Sequence, residues 1–393
     1  MREALLLSIR MHAGWLFEAL DVRGRYLCPL TPRRLLLLFI GYPVYLLIQG
    51  IHWVGFLFDE LFFRKYRDVI IKEPLVITGI PLSGATFVHR TLSMASGQFT
   101  TFQTWECLFA PSITERRIIQ CIARLDNRLS GRPLHRLVEN LMARLRAAMA
   151  RSDEVGLKDP GEDFLTLLPV GACFLMVVGF PASRSLWQLG RFQEMPDEQR
   201  EVILRYYKAC LQKHLYWAGP DKRLLSKNAA FGSWLPDLRF LLPDARYIAC
   251  VRKPGEALSL QLSSIRGSLE TLSTISAADT YSLELQTVLA HVYRIILKEK
   301  QSFLIDHLAV MDLPDLNGSA YKTIRASLKQ LCFRIDDELE QVLQEADNES
   351  ANYTSQHKHV PFEAKSGPDE FNSLVEDIYR DILEKPYMTR DRR

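Results

Sequence analysis

Paired cysteines are missing from this sequence. Its seven cysteines, at positions 28, 107, 121, 173, 210, 250 and 332, are odd in number, far apart and form no C-x-x-C pair. That excludes a disulfide framework and a zinc ribbon, and leaves mostly buried free thiols in a reducing compartment as the expectation. A metal-ligating constellation is missing too. His357-Lys358-His359 is the only dense histidine group and has no carboxylate or thiolate beside it, so no metal site is expected. Excess charge of one sign is also absent. With 49 Lys+Arg against 46 Asp+Glu the formal net charge is +3, too little to suggest a nucleic-acid partner. The 20 Gly and 19 Pro are ordinary, and neither repeats nor low-complexity tracts occur, which excludes collagen-like and disordered chains. The 393 residues allow two or three domains of about 150 residues, or one large α/β domain.

The chain does have apolar residues in uneven blocks. Between Leu35 and Leu57 no charged residue interrupts the run apart from His52, while Arg33-Arg34 precede it and Arg64-Lys65 follow. About 20 apolar residues suffice to span a bilayer core. The block starts too late for a secretory signal and no small-residue cleavage site follows it. Pro43, Gln49, Gly50 and His52 interrupt it, and Tyr42, Tyr45 and Trp53 are aromatics that favour the headgroup level. Three readings stand: a monotopic or re-entrant hairpin bent near Pro43 and Gly50, a single span, or a buried helix of a soluble core. Ala4 to Leu20 is amphipathic and suits the same surface, and the flanking cationic pairs suit anionic lipid. Residues 1–71 are therefore expected to form helices facing a membrane, with residues 72–393 as a soluble domain on its cytoplasmic side.

That domain opens with Leu75-Val76-Ile77-Thr78, a β-branched run, followed by Gly79-Ile80-Pro81-Leu82-Ser83-Gly84-Ala85-Thr86 and a helical pattern through Phe87, Arg90, Thr91 and Met94. Strand, glycine turn and helix make a phosphate-binding loop, because successive N–H groups and a helix N-terminus converge on one anion. The spacing is that of G-x-x-x-x-G-K-[ST], yet Ala85 holds the lysine position. A kinase or nucleotide hydrolase needs that lysine against the terminal phosphates, so the loop suits phosphate binding without nucleotide hydrolysis.

Further motifs follow in order. Thr104-Trp105-Glu106 lies about twenty residues after the loop, then come Asp159-Pro160-Gly161-Glu162-Asp163-Phe164, Lys227-Asn228 at the end of a strand, and Leu242-Pro243-Asp244-Ala245-Arg246 running into Val251-Arg252-Lys253-Pro254. Together these resemble the sulfotransferases that use PAPS (3′-phosphoadenosine 5′-phosphosulfate), in the branch whose loop reads G-x-P-R-S-G-T-T-x-L-x-R-x-L and stands here as GIPLSGATFVHRTL. The tail His357-Lys358-His359-Val360-Pro361-Phe362 is similar to that family's K-H-x-Y stretch.

The resemblance implies a three-layer α/β domain around a central, mostly parallel sheet. It also implies sulfuryl transfer from PAPS, without a metal, to a hydroxyl or amine. By the same resemblance Ser83, Gly84, Ala85 and Thr86 bind the 5′-phosphate, and Arg252 binds the 3′-phosphate with Ser259 near the family's serine position. Glu106 is the carboxylate base, and Lys227 reaches the phosphate or the leaving oxygen. His89 is expected to pack beneath the loop. This chain departs from the pattern at Leu82, where the family carries Arg or Lys, at Ala85 for threonine and at Leu260 for serine. A catalytically impaired, membrane-docked binding protein is therefore the rival reading. On the acceptor side, Phe164 to Pro181 holds 18 residues without a charge, expected as a lipid-accommodating wall or interior helix. The acceptor is expected to be a hydrophobic or lipid-linked molecule at a membrane surface, with a homodimer left open.

Overall fold

The computed structural model describes residues 1–129, 131–133, 136, 137, 140, 156–273, 278–352 and 368–387. The run from Arg132 to Arg151, whose spacing of basic and apolar residues predicts an amphipathic helix, falls largely outside the described residues, and the His357–Phe362 stretch falls wholly outside them. Five strands form one parallel sheet: β1 (Leu75–Gly79), β2 (Phe99–Thr100), β3 (Arg223–Lys227), β4 (Arg246–Val251) and β5 (Leu308–Asp312), in the order β2-β3-β1-β4-β5. The last strand begins five residues later than Phe303, where the apolar pattern alone would start it. Phe303 belongs instead to the turn after a long helix, with its N–H bonded to Glu299 O at 2.7 Å.

Both sheet faces are covered, so the strands read as apolar runs whose residues alternate between two cores. Val76, Tyr247, Ala249, Val251 and Leu308 join one cluster, and Leu75, Ile77, Ile248, Cys250, Ala309 and Met311 join the other. The helices that cover them include α1 (Arg2–Leu20), α2 (Pro32–Phe62), α3 (Ala85–Met94), α4 (Thr104–Phe109), α5 (Ile113–Asp126), α6 (Asp197–Ala218), α7 (Pro254–Leu272), α8 (Ala278–Ser302), α9 (Ala320–Gln330), α10 (Asp337–Asn352) and α11 (Pro368–Glu384). The second cluster draws on α3, α9 and α10. The first draws on α6, α7, α8 and α11, and also on α1 and α2 through Leu7, Met11, Trp15, Leu38, Tyr42 and Phe56. Packing thus crosses residue 72, and the N-terminal helices share a core with the sheet.

The helix α2 is one unbroken helix rather than a hairpin bent near Pro43 and Gly50. Pro43 has no N–H to donate to a carbonyl one turn back, and a π-helical turn over Leu37–Gly41 accommodates it without a bend to a second arm. Gly50 is exposed and no atom lies within 4 Å of its missing Cβ. The apolar stretch Phe164 to Pro181 is likewise no single helix. It makes two short 3-10 turns, Asp163–Leu167 and Phe174–Val178, and between them Pro169 O accepts from Ser8 Oγ of α1 at 2.6 Å and from Trp53 Nε1 of α2 at 3.0 Å. Phe180 meets Trp15 and Tyr42 with ring centroids 5.6 and 4.9 Å apart. Gly171, at φ +76°, lies so close to α1 that a Cβ there would sit 2.8 Å from Met11 Cβ. Much of this block therefore packs against the N-terminal helices as interior.

Candidate active site

At the carboxyl end of β1 the chain turns through Gly79 at φ +125°, where a Cβ would fall 2.1 Å from Cys250 O. Only glycine fits there. The turn continues with Leu82 at φ +61° and Gly84 at φ +86°. Leu82 pays for that left-handed backbone with about 1 kcal/mol or more, and its carbonyl is held by Arg252 Nη1 at 2.6 Å. Gly84 is the N-cap of α3 and brings no side chain to cap it, so the first N–H groups of a ten-residue helix face the loop. The Ser83 hydroxyl is buried with no hydrogen-bond partner among the described residues, while Thr86 is exposed. A buried orphan hydroxyl beside a helix N-terminus suits a phosphate oxygen. Ser83, Gly84, Ala85 and Thr86 are brought together in this turn.

Arg252 follows β4 directly, which places it at the same carboxyl edge of the sheet. Besides Leu82 O, its guanidinium pairs with Glu256 at 2.8 Å, and its Nε is buried without a partner among the described residues. Ser259 is half-buried on α7, and Leu260, at the family's serine position, is buried. On the other side of β1, Lys227 ends β3 in register with Ile77. It is 3% exposed and makes an ion pair with Glu162. The Glu162 side chain keeps 37% of its surface open. Its neighbour Asp163 is buried, accepts a hydrogen bond from Tyr207 OH at 2.8 Å, and is pushed up to about 6 by burial.

Glu106 is placed differently. It is 4% exposed, its Oε2 accepts from Gln103 N at 2.8 Å in a capping box, and its Oε1 faces the buried Arg116 Nη1 at 3.3 Å. Both oxygens are committed inside the fold. A base needs an oxygen free to meet an acceptor's proton, and here both Glu106 oxygens face partners within the fold. Glu162 was in plain view in the Asp159–Phe164 motif. Only its pairing with Lys227 across more than sixty residues singles it out.

His89 sits under the loop as expected, 1% exposed, with Nε2 2.7 Å from Thr101 Oγ1. Burial, together with the Lys227 and Arg90 cations, pushes it down to about 3. His214 is also held well below the usual range by burial and by Arg116. Both imidazoles stay neutral in the native state, whereas in the unfolded chain they take protons near pH 6.5. Their stabilising effect is whole above pH 6.5 and is lost as the pH falls, toward about 3 for His89, on the order of 1.4 kcal/mol per pH unit per histidine. Asp163, shifted upward, works in the opposite direction between about pH 6 and 4 and offsets one of the two. Urea midpoints are expected to fall from pH 6.5 to 4.5, and to fall less steeply in His89→Gln. An equally steep fall in that variant would remove His89 from this account.

A cavity of about 120 Å³ bounded by Arg239, Tyr247 and His307 lies at the amino ends of β4 and β5, away from the loop, and carries none of this chemistry. Among the described residues no group of three His, Cys, Asp or Glu could hold a metal ion. All seven cysteines are free, five of them buried.

A five-stranded parallel sheet with a strand–glycine turn–helix at β1, a lysine at the end of β3 and an arginine at the end of β4 defines a three-layer α/β fold. The chain belongs to the sulfotransferase family, whose model matches residues 74–316. It is similar in structure to sulfotransferase STF1 from Mycobacterium tuberculosis H37Rv, at 15% identity and a TM-score of 0.69 over 97% of this chain and 92% of that one. Sulfotransferase STF9 from Mycobacterium avium is similar too, at 17% identity and a TM-score of 0.66 over 98% of this chain and 95% of that one. At these identities the likeness speaks for the fold. No curated protein matches the chain.

Proposed function

We propose that the chain transfers a sulfuryl group from PAPS to a hydroxyl or amine of a hydrophobic or lipid-linked acceptor at the cytoplasmic face of a membrane. The observation that carries the reading is the orphaned Ser83 hydroxyl in the loop, flanked by Lys227 and Arg252 on the neighbouring strand ends. The loop residues Ser83 to Thr86 hold the donor's 5′-phosphate by N–H groups and the two hydroxyls. Arg252, with its free Nε, takes the 3′-phosphate, for which a guanidinium fork suits two oxygens. Ser259, half-buried about two turns further on in α7, is the nearby serine of the same strand–helix unit.

The acceptor oxygen attacks sulfur in line with the bridging oxygen. A new S–O bond forms as the bond from sulfur to the phosphate oxygen breaks, and the bisphosphonucleotide leaves with that electron pair. Glu162 takes the acceptor's proton, and Lys227 stabilises charge on the leaving oxygen, a task the family's loop cation shares where Leu82 now stands. Catalysis is then mainly positioning and charge stabilisation. The absent cation at Leu82 favours the second reading, an impaired enzyme that binds nucleotide without transfer.

Adenosine 3′,5′-bisphosphate is expected to raise the melting temperature of the protein, with ATP giving little or none. In Arg252→Ala the shift should disappear. Stabilisation by ATP alone, or an undiminished shift in Arg252→Ala, would overturn the nucleotide assignment. A bisphosphate shift without labelled sulfate transfer into a lipid extract would select the binding-protein reading.

A further inference from the structure

The helix α2 is inside out. Its buried positions are Arg34, Leu38, Tyr42, Gln49, His52, Gly55, Phe56 and Asp59, a stripe at helical spacing in which four of the eight are polar or charged. The opposite face is apolar and open. Phe39, Leu47, Ile51, Leu57 and Leu61 are each more than half exposed. A soluble core helix has the reverse polarity. The neighbouring α5 continues the open face with Ile118, Ile122 and Leu125, one turn apart.

Arg34, Tyr45, His52 and Asp59 find partners in the rest of the fold along the length of α2, while Gln49 Oε1 and Arg34 Nε are buried without a hydrogen-bond partner among the described residues. Near its start Arg34 Nη1 donates to Gly179 O and Leu272 O, both at 2.7 Å. In the middle Tyr45 OH donates to Leu168 O at 3.3 Å, and His52 Nδ1 lies 2.6 Å from Glu115 Oε1. Near its end Asp59 accepts from Ile113 N and Thr114 N at 3.0 and 2.8 Å and pairs with Lys213 at 3.0 Å. From Arg34 to Asp59 the helix rises about 38 Å, at about 1.5 Å per residue, more than the roughly 30 Å of a hydrocarbon core. A spanning α2 would drag these buried ion pairs and carbonyls into lipid, where each unpaired group is costly.

We infer that α2 lies in the plane of one leaflet, apolar face down, and seats the whole domain on the bilayer as a monotopic protein. Exposed Arg33, Arg64 and Lys65 flank the face and select anionic headgroups. This deepens the membrane placement proposed above and is independent of the sulfuryl chemistry. One consequence follows for the acceptor: it is met at the interface, without crossing the membrane.

The test uses the full chain and vesicles of phosphatidylcholine with about one third phosphatidylglycerol. Flotation is expected for the parent protein and at least tenfold less for the triple variant Leu47→Lys, Ile51→Lys, Leu57→Lys, whose sites are exposed and whose bisphosphate thermal shift should persist. Three single variants, Phe39→Trp, Leu47→Trp and Phe58→Trp, then report depth by quenching with lipids brominated at different carbons. In-plane seating predicts equal, shallow quenching at all three. A Leu47→Trp signal quenched mainly by deep bromines, with the other two shallow, would mean a span and overturn the inference. So would a parent protein that fails to float, or one whose apolar face proves to be a dimer contact, seen as a dimer that the triple variant converts to a monomer in sedimentation. Loss of the bisphosphate shift in the parent would count against the nucleotide reading and leave the flotation result standing.

Discussion

Glu162→Gln is expected to cut sulfuryl transfer by about 10²–10⁴-fold while leaving the bisphosphate thermal shift intact, because general-base catalysis contributes on that scale. The amide keeps the shape of the side chain and cannot take a proton. Glu106→Gln should behave in the opposite way. Its carboxylate faces Arg116, which is 0% exposed, so the change leaves a buried guanidinium without its charge partner. Stability is expected to fall by roughly 3–5 kcal/mol, while the rate per folded molecule stays near that of the parent. Single-turnover rates normalised to active sites, alongside urea unfolding, separate the two. If Glu106→Gln loses the rate and Glu162→Gln keeps it, the base is Glu106 and the geometry has been misread. Glu162→Gln also removes the charge partner of Lys227, which is 3% exposed, so its unfolding midpoint is read beside its rate.

The second large effect is structural. Asp59 is 0% exposed and Lys213 1%, and the carboxylate also accepts from the first two N–H groups of α5. Asp59→Ala removes a buried partner and a helix cap in one step, at an expected cost of about 3–5 kcal/mol from the stranded ammonium and about 1 kcal/mol from the cap. The Lys213 ammonium lies 4.3 Å from the Phe56 ring centroid and 4.9 Å from that of Tyr66, which replaces little of what is lost. In the double variant Asp59→Asn, Lys213→Met most of the stability should return, since no charge remains to be desolvated. Equilibrium unfolding of the three proteins checks this. A single variant as stable as the parent would show that α2 is not anchored through this pair.

The loop and the strands were legible in the sequence because their causes are local. Gly79 and Gly84 stand where positive φ is needed, and Leu75–Thr78 is too apolar for anything but a strand covered on both faces. Arg252 could be placed for the same reason, one residue past a strand whose apolar run ends at Val251. The role of Glu106 was not legible. Its partners Arg116 and His214 come from two other helices, and a T-W-E motif reads the same whether its carboxylate faces a cleft or a cap. The hairpin at Pro43 failed on a similar point: a proline signals a break, but whether a π turn absorbs it depends on what the helix rests against.

The apolar excess before residue 63 was plain in composition, which left a membrane-facing helix and a buried core helix both open. Which face stays open was decided by tertiary structure. Arg34, His52 and Asp59 interrupt an apolar run and look like flaws in a membrane helix. Folded, they point at Gly179, Leu272, Glu115, Ile113 and Lys213, since a buried polar group is stable only where another segment supplies its partner. Local sequence determines a strand, a turn or a helix through backbone sterics and periodicity. Partners drawn from distant segments decide which carboxylate is free, and which side of a helix is left open.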